Sequence, residues 1–245
     1  MEFPPDLLAT LRAAHYIAAL TGAGVSAESG VPTFRDAQTG LWAQFDPHEL
    51  ATPQAFRRNP KLVWDWYAWR RGLVERARPN PGHFALAEME RRAPRFTLIT
   101  QNVDGLHQRA GSRAVIELHG NLRRFKCFVC EAPHPVLTAE STDAIPTCGC
   151  CGGLLRPDVV WFGEPLPAEA YRAALAAAQT CDVFLSIGTS GLVEPAASLP
   201  RIARRAGAVV VIVNPDAQIE SPPDAYMVCG KAGEALPALV KAVWG

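Results

Sequence analysis

The sequence predicts an α/β fold, a Rossmann-like doubly wound parallel sheet with a smaller module beside it. Short apolar runs that end in polar, loop-like clusters recur along the 245-residue chain, as buried parallel strands do. Helical stretches lie between these runs. Two segments, approximately residues 37–82 and 123–155, interrupt the alternation. The first is rich in Trp and Arg and the second contains cysteines and many turn formers, so we assign both segments to the smaller module.

The predicted elements alternate between helix and strand along the chain. The first helix is expected at Leu7–Ala14 and the first strand at Tyr16–Leu20. Further strands are predicted at Arg95–Thr100, Val183–Ile187 and Val209–Val213, and further helices at His83–Arg92, Ala168–Gln179 and Pro195–Arg205. We expect a single domain over residues 1–245, whose sheet portion comprises approximately 1–36, 83–122 and 156–245.

The charge balance argues against a nucleic-acid or membrane partner. The 24 basic residues equal the 24 acidic ones, so the formal net charge is zero and no overall field attracts a polyanion. The first residues lack the pattern of a signal peptide, and no apolar run reaches the roughly 18 residues of a spanning helix. We expect a cytoplasmic protein that acts as a monomer.

Four cysteines form two C-x2-C pairs. Cys127 and Cys130 are separated by 17 residues from Cys148 and Cys151, a spacing typical of structural zinc sites. Four thiolates leave no open coordination position for a reactive water, so we expect one zinc ion with a structural and not a catalytic role. Cys150 lies inside the second pair and is an alternative fourth ligand. A redox disulfide is the other interpretation of C-x2-C, but two pairs at zinc spacing fit it poorly.

The first predicted strand ends in Gly22-Ala23-Gly24-Val25-Ser26-Ala27, the G-x-G-x-x-A form of a phosphate-binding turn. Glycines there let the backbone approach a pyrophosphate. A glycine turn that merely starts a helix is the plain alternative. The acidic residue expected about 20 positions later in dehydrogenases has no candidate, because a polar loop containing Phe34 and Arg35 follows instead. The pattern therefore argues against hydride transfer.

The chain resembles the sirtuin family of NAD-dependent protein lysine deacylases in five strings that follow the family's order. These strings are GAGVSAESGVPTFRD (22–36), TQNVDGLHQRAG (100–111), ELHG (117–120), GTSGLVEPA (188–196) and VNPD (213–216). The resemblance implies an enzyme that consumes NAD as a co-substrate and acts on acyl-lysine proteins or peptides. Its products are nicotinamide, O-acyl-ADP-ribose and free lysine.

By this resemblance, His119 of ELHG is the general base that activates a ribose hydroxyl. A free imidazole with a pKa near 6.5 can accept a proton at neutral pH. A lone histidine is more often structural, and only the ELHG context favours catalysis here. The resemblance implies a larger set of cofactor-binding residues, in which Asn102 and Asp104 receive nicotinamide and Phe34 shields the reactive carbon. The set is Gly22, Ala23, Gly24, Ser26, Phe34, Arg35, Gln101, Asn102, Asp104, Gly188, Thr189, Ser190, Asn214, Asp216 and Ala232, the last in a loop before the final helix.

The resemblance also implies residues that bind the acyl-lysine substrate. The segment Val160, Trp161, Phe162, Gly163 and Glu164 is similar to one whose backbone pairs with an extended peptide. Main-chain pairing of this kind tolerates varied sequences.

Tyr67 and Arg70 are three residues apart and share a helix face. A guanidinium binds a carboxylate through two hydrogen bonds, and a phenol adds a third. This Y-x-x-R, with the small Ala51 nearby, resembles the class III, bacterial-type sirtuins that remove succinyl, malonyl or glutaryl groups. We expect acetyl groups to be removed as well. A chance pair is the alternative, with Arg71 as a competing partner for the carboxylate.

Three other functions compete with deacylation. A non-catalytic NAD sensor needs neither His119 nor the Tyr67 and Arg70 pair, although both are present. An ADP-ribosyltransferase shares the cleavage of NAD but passes ADP-ribose to a protein side chain. A serine hydrolase lacks support because no G-x-S-x-G motif surrounds Ser26 or Ser190.

Overall fold

The larger sheet in this computed structural model has six parallel strands. The structure describes residues 1–32, 46–134, 144–216, 219, 222 and 224–245. The strands are β1 (Tyr16–Thr21), β2 (Arg95–Thr100), β3 (Val115–Glu117), β7 (Val183–Ile187), β8 (Val209–Asn214) and β9 (Tyr226–Cys229). Their order across the sheet is β3-β2-β1-β7-β8-β9, and every neighbouring pair is parallel. From β1 the chain adds β2 and β3 on one side and later adds β7, β8 and β9 on the other. The strand order therefore reverses between β1 and β7, which confirms the predicted doubly wound class.

Helices cover both faces of this sheet. They are α1 (Pro5–Ala13), α2 (Ala23–Ala27), α6 (Pro81–Arg92), α7 (Leu106–Arg109), α8 (Ala168–Thr180), α9 (Leu199–Arg205) and α10 (Ala232–Trp244). Alternate residues of β1 point to opposite faces. Ile17 packs with α1, α6 and α10, whereas Ala18 packs with α8 and α9. No helix within the described ranges is both long and apolar enough to cross a membrane.

Two expectations for the second half of the chain were wrong in detail. The helix predicted at Pro195–Arg205 begins later, because a short 3-10 helix at Ala196–Ser198 precedes α9. Ala232 lies at the first position of α10 and not in the loop before it.

The remaining elements form a second, smaller layer. They are α3 (Pro47–Leu50), α4 (Pro53–Arg58), α5 (Pro60–Arg76), β4 (Gly120–Cys127), β5 (Pro133–His134) and β6 (Leu155–Val159), the strands forming an antiparallel sheet in the order β5-β4-β6. Asn59 caps α5 by accepting a hydrogen bond from the Leu62 N–H at 3.1 Å, and Pro60 occupies the first turn. Trp66, Phe56 and Trp161 form the centre of the core beneath α5.

Candidate functional site

A cavity of about 1480 Å³ lies at the carboxyl ends of β1, β2, β7 and β8. It therefore spans the point at which the strand order reverses, where doubly wound sheets bind their ligands. The structure brings most of the predicted site residues to this one cavity. These are Gly22, Ala23, Gly24, Ser26, Ala51, Tyr67, Arg70, Gln101, Asn102, Asp104, His119, Val160, Trp161, Phe162, Gly163, Glu164, Gly188, Thr189, Ser190, Asn214 and Asp216.

The glycines after β1 allow two backbone segments to touch. Gly24 N–H donates to the Gly188 carbonyl oxygen at 2.9 Å. A Cβ on Gly24 would lie 2.8 Å from that oxygen, and a Cβ on Gly22 would meet it at the same distance. Gly188 itself has φ +59, which an L side chain rarely adopts. The G-x-G turn thus joins the two strand ends that form the floor of the cavity.

A hydrogen-bonded cluster lies in the part of the cavity where we predict that nicotinamide binds. Ser26 Oγ donates to Asp104 Oδ2 at 2.7 Å and accepts from Asn102 Nδ2 at 3.1 Å. Asn102 Nδ2 also donates to the Gly22 carbonyl oxygen at 3.0 Å. Burial raises the pKa of Asp104, whereas hydrogen bonds from Leu106 N–H and from Ser26 lower it. The effect of burial is the larger one, so the pKa of Asp104 is raised overall. Amide and carboxyl groups held in this way can bind a carboxamide or sugar hydroxyls.

His83 supports this cluster from below. Its Nδ1 accepts from Asn80 N–H at 3.3 Å, so Nε2 carries the hydrogen and contacts Ser26 Oγ at 3.4 Å. His107 lies beside it and places Nε2 2.9 Å from Thr21 Oγ1. Both rings are buried. The sequence analysis singled out neither histidine, although His83 completes the capping box at the start of α6.

His119 lies between the two sheets with one ring nitrogen fixed. Its Nδ1 is 3.0 Å from the Gln101 carbonyl oxygen. A carbonyl oxygen only accepts, so Nδ1 carries the hydrogen and Nε2 keeps its lone pair. Burial lowers the pKa of His119, and the bond to Gln101 partly offsets this effect. The ring is therefore neutral at pH 7, as a general base must be.

The carboxylate of Glu117 holds the loop that carries His119. Its Oε1 accepts from Gln108 Nε2 at 2.9 Å and from Asn121 Nδ2 at 2.6 Å. Its Oε2 accepts from Arg124 Nη1 at 2.6 Å. These contacts join both sides of the loop, which fixes the position of the imidazole.

Tyr67 and Arg70 lie one turn apart on α5 and line the other end of the cavity. They are only 2% and 9% exposed. Tyr67 Oη accepts from Trp161 Nε1 at 2.9 Å, and the phenol keeps its own hydrogen for another acceptor. Burial raises the pKa of Tyr67 far above its usual value, despite the nearby Arg70 charge, so the phenol is a neutral donor. Ala51 lines the same cavity.

The segment 160–164 forms a tight turn beside Tyr67. Glu164 N–H donates to the Trp161 carbonyl oxygen at 3.0 Å, and Gly163 has φ +86 at the third position, as in a type II turn. Four of its five N–H groups donate within the protein, to His119, Glu164, Ala51 and Trp161. Among these described contacts, Gly163 N–H is the one N–H group of the segment without an acceptor in the protein.

The four predicted zinc ligands lie together at the end of β4. The Sγ atoms of Cys127, Cys130, Cys148 and Cys151 are all within 4.8 Å of one another, with three of the pairs at 3.5–3.7 Å. Sulfur atoms on a tetrahedral zinc at about 2.3 Å are about 3.8 Å apart, so the cluster fits one structural zinc ion. Among the described residues, Cys150 stands outside this cluster and instead donates its N–H to Cys148 Sγ at 3.4 Å.

Comparison with known proteins identifies the family. The model of the Sir2 family matches residues 22–195. This chain belongs to the Sir2 family, the sirtuins. NAD-dependent protein deacylase 2 of Pyrobaculum aerophilum is 54% identical over 97% of this chain and 94% of its own length. The family and the enzyme class predicted from the sequence, an NAD-dependent protein deacylase, are therefore confirmed.

Solved sirtuin structures share the whole fold. A Sir2 homologue in complex with NAD superposes with a TM-score of 0.91 and 48% identity, covering 99% of this chain and 94% of that one. A substituted Sir2 homologue bound to 2'-O-acetyl ADP-ribose superposes with a TM-score of 0.90 and 50% identity, covering 98% of this chain and 96% of that one. NAD is accordingly the co-substrate.

Some residues of the sirtuin site differ from the prediction. Ala232 is not among the residues that line the cavity; it lies against Gly82 instead. Phe34 and Arg35 lie outside the described residues. The sequence analysis did not assign a site role to one face of α8 or to two later residues of the segment after β7; the cavity-lining residues at these places are Tyr171, Arg172, Leu175, Leu192 and Val193. The three-to-four residue spacing on α8 was the signal that could have found the first of these groups.

Proposed function

We propose that this sirtuin removes acyl groups that end in a carboxylate, succinyl and malonyl above all, and also removes acetyl groups from lysine side chains. The observation that carries the proposal is the placement of Tyr67 and Arg70 side by side in the cavity. A guanidinium and a phenol converge there on one space, which suits a carboxylate better than a methyl group.

The burial of Arg70 supports an anionic ligand. Its guanidinium is 9% exposed and stacks over the Trp66 ring, with Cζ 5.1 Å from the ring centroid. Burial lowers the pKa of Arg70, and the nearby Tyr67 partly offsets this. A carboxylate at this position can form charge-assisted hydrogen bonds with the guanidinium. The small side chain of Ala51 leaves space for a longer acyl chain.

His119 is the proposed general base. Its neutral ring, with Nδ1–H bonded to Gln101, leaves Nε2 to accept a proton from a ribose hydroxyl. NAD supplies the electrophilic ribose carbon and nicotinamide as the leaving group. We assign the Ser26, Asn102 and Asp104 cluster to nicotinamide and its ribose. The residues at the carboxyl ends of β7 and β8, including Thr189 and Asn214, are assigned to the rest of the nucleotide.

The test uses one peptide in succinyl-lysine and acetyl-lysine forms, incubated with the protein with and without NAD and analysed by mass spectrometry. We expect NAD-dependent loss of both marks, with nicotinamide and the corresponding acyl-ADP-ribose as products. Loss of acetyl alone would refute the acidic-acyl pocket. Transfer of ADP-ribose to the peptide without loss of either mark would favour an ADP-ribosyltransferase.

Arg70→Met sharpens the test. It should reduce the succinyl-to-acetyl ratio of kcat/KM about tenfold or more, because a charged hydrogen bond contributes about 1.5–3 kcal/mol. Arg71→Met is the matched control, since the Arg71 guanidinium lies against the Trp64 and Phe125 rings and Arg71 is not among the described cavity residues. An equal change of ratio in both variants would contradict the assignment.

We further propose that the chain acts as a monomer in the cytoplasm, as one catalytic domain and without nucleic-acid partners. The balanced charge of the sequence supports the absence of a nucleic-acid partner, because no overall field attracts a polyanion. Light scattering during gel filtration measures the mass directly, and a species of twice 26.5 kDa would refute the monomer.

A further inference from the structure

A buried ion pair stands behind the turn at 160–164. Arg156 on β6 is 2% exposed, and its guanidinium contacts Glu164 through two bonds, Nη1 to Oε1 at 2.5 Å and Nη2 to Oε2 at 2.9 Å. Nη2 also donates to the Val159 carbonyl oxygen at 2.6 Å. The planar fork of arginine permits few other arrangements, so this contact fixes the Glu164 carboxylate.

The ion pair holds Trp161 at two places. Glu164 Oε2 accepts the Trp161 backbone N–H at 2.8 Å. The Arg156 guanidinium carbon lies 3.2 Å from the centroid of the indole ring. Trp161 is 1% exposed and packs on Phe56, with ring centroids 5.4 Å apart. The indole therefore has one orientation, and in it Nε1 reaches Tyr67 Oη.

We propose that Arg156 and Glu164 are positioning residues for acyl selectivity, acting through Trp161 on the Tyr67 hydroxyl. The inference rests on the proposed acidic-acyl function. The indole N–H occupies one acceptor position of Tyr67 Oη. This restricts the direction of the phenol hydrogen and favours donation to the acyl carboxylate. An acetyl group has no carboxylate, so the direction of the phenol hydrogen does not strengthen its binding.

The ion pair also balances charge near the pocket. Burial raises the pKa of Glu164, but the Arg156 bonds lower it more, and the carboxylate remains ionised. The positive charge of Arg156 offsets that negative charge, which would otherwise repel an acidic acyl chain. The turn that we assign to the peptide and the pocket that we assign to the acyl group are thus joined through one side chain, Trp161.

Trp161→Phe removes the N–H and keeps an aromatic ring. We expect the succinyl-to-acetyl ratio of kcat/KM to fall about fivefold, as for the loss of one neutral hydrogen bond. Trp244→Phe is the matched control, because Trp244 ends α10 and is not among the described cavity residues; its ratio should not change. In a Tyr67→Phe background, Trp161→Phe should cause no further fall.

Arg156→Lys provides a second variant that keeps the charge and loses the fork. The succinyl-to-acetyl ratio of kcat/KM should fall in Arg156→Lys, but by less than it falls in Arg156→Met. An equal loss on both substrates in Trp161→Phe, or an additive loss in the Tyr67→Phe background, would overturn the coupling. Failure of the proposed function is a different result, because the ratio would then be unchanged in Arg70→Met and in Tyr67→Phe.

Discussion

His83 and His107 lie in contact beneath the Ser26 hydroxyl, with their ring centroids 4.9 Å apart and neither residue more than 1% exposed. Burial lowers the pKa of His83 to about 4. Burial and, to a lesser extent, the proximity of His83 lower the pKa of His107 to about 3. Both rings are therefore neutral in the folded protein at pH 7 and in mild acid.

We predict that this pair makes the fold sensitive to mild acid. An unfolded histidine binds its proton near pH 6.5, so between pH 6.5 and about 4 the unfolded chain holds more protons than the folded one. The free energy of unfolding therefore falls as the pH drops through this window, by about 2 kcal/mol per histidine at pH 5. Urea unfolding at pH 7 and pH 5 measures this fall in the free energy of unfolding.

His107→Gln supplies the control for the acid effect. It should remove about half of the pH dependence, because glutamine cannot be protonated in this range. His15→Gln, at an exposed position, should leave the dependence intact. Equal stability of the wild-type protein at both pH values would contradict the prediction.

Replacement of His119 should stop turnover while the protein stays folded. We expect His119→Tyr to lower kcat at least about a hundredfold, which is the usual contribution of a general base. Thermal unfolding and zinc content should match the wild type. Retention of activity within about tenfold would remove His119 from the base role.

The wild-type pH profile gives an independent test of His119. Because burial lowers its pKa below 6.5, the base form persists under mildly acidic conditions. We expect kcat/KM for the acetyl peptide to stay level from pH 8 to 6.5 and to fall only below that value. An acid limb centred above pH 7 would assign the titration to another group.

The two candidate cysteines can be separated by substitution. Cys151→Ser should abolish binding of one zinc ion per chain, whereas Cys150→Ser should retain it, since Cys150 is not part of the four-cysteine cluster found among the described residues. Loss of a structural zinc removes about 10 kcal/mol or more of binding free energy, comparable with the whole stability of a domain. Zinc analysis and thermal unfolding report both outcomes, and zinc loss in Cys150→Ser would reverse the assignment.

The same substitution at two glycines should have opposite effects. Gly24→Ala places a Cβ 2.8 Å from the Gly188 carbonyl oxygen, so we expect a loss of about 1–3 kcal/mol in stability and weaker NAD binding. Gly72→Ala on α5 meets only the Arg76 side chain at 3.4 Å and should gain about 1 kcal/mol. Denaturant unfolding tests both, and a stable Gly24→Ala would refute the close contact.

The buried parallel strands could be predicted from sequence because each is a short apolar run. Arg95–Thr100 and Val183–Ile187 have the predicted bounds. β3 and β9 were not predicted, since three or four residues of mixed character carry no clear period. The start of α9 was misplaced because the residues after Pro195 suit a 3-10 helix as well as an α-helix.

The candidate site was predictable where a local pattern carries the chemistry. The spacing of Tyr67 and Arg70 places both on one face of a helix, and the structure brings both to the cavity. Trp161, the hydrogen-bond partner of Tyr67, is 94 residues away from it in sequence, and no local pattern reports a hydrogen bond at that separation. His83 was missed for the same reason, because Ser26 lies 57 residues before it.

The position of His119 limits how this enzyme can be divided. β3 ends at Glu117 and β4 begins at Gly120, so the six-stranded and three-stranded sheets are joined there by a link of two residues. Two extended residues span about 7 Å. His119 is one of them, and its carbonyl oxygen accepts the Val160 N–H at 2.9 Å. The chain therefore cannot be cut here into two halves, one for each sheet, without severing the connection that carries His119, the proposed general base.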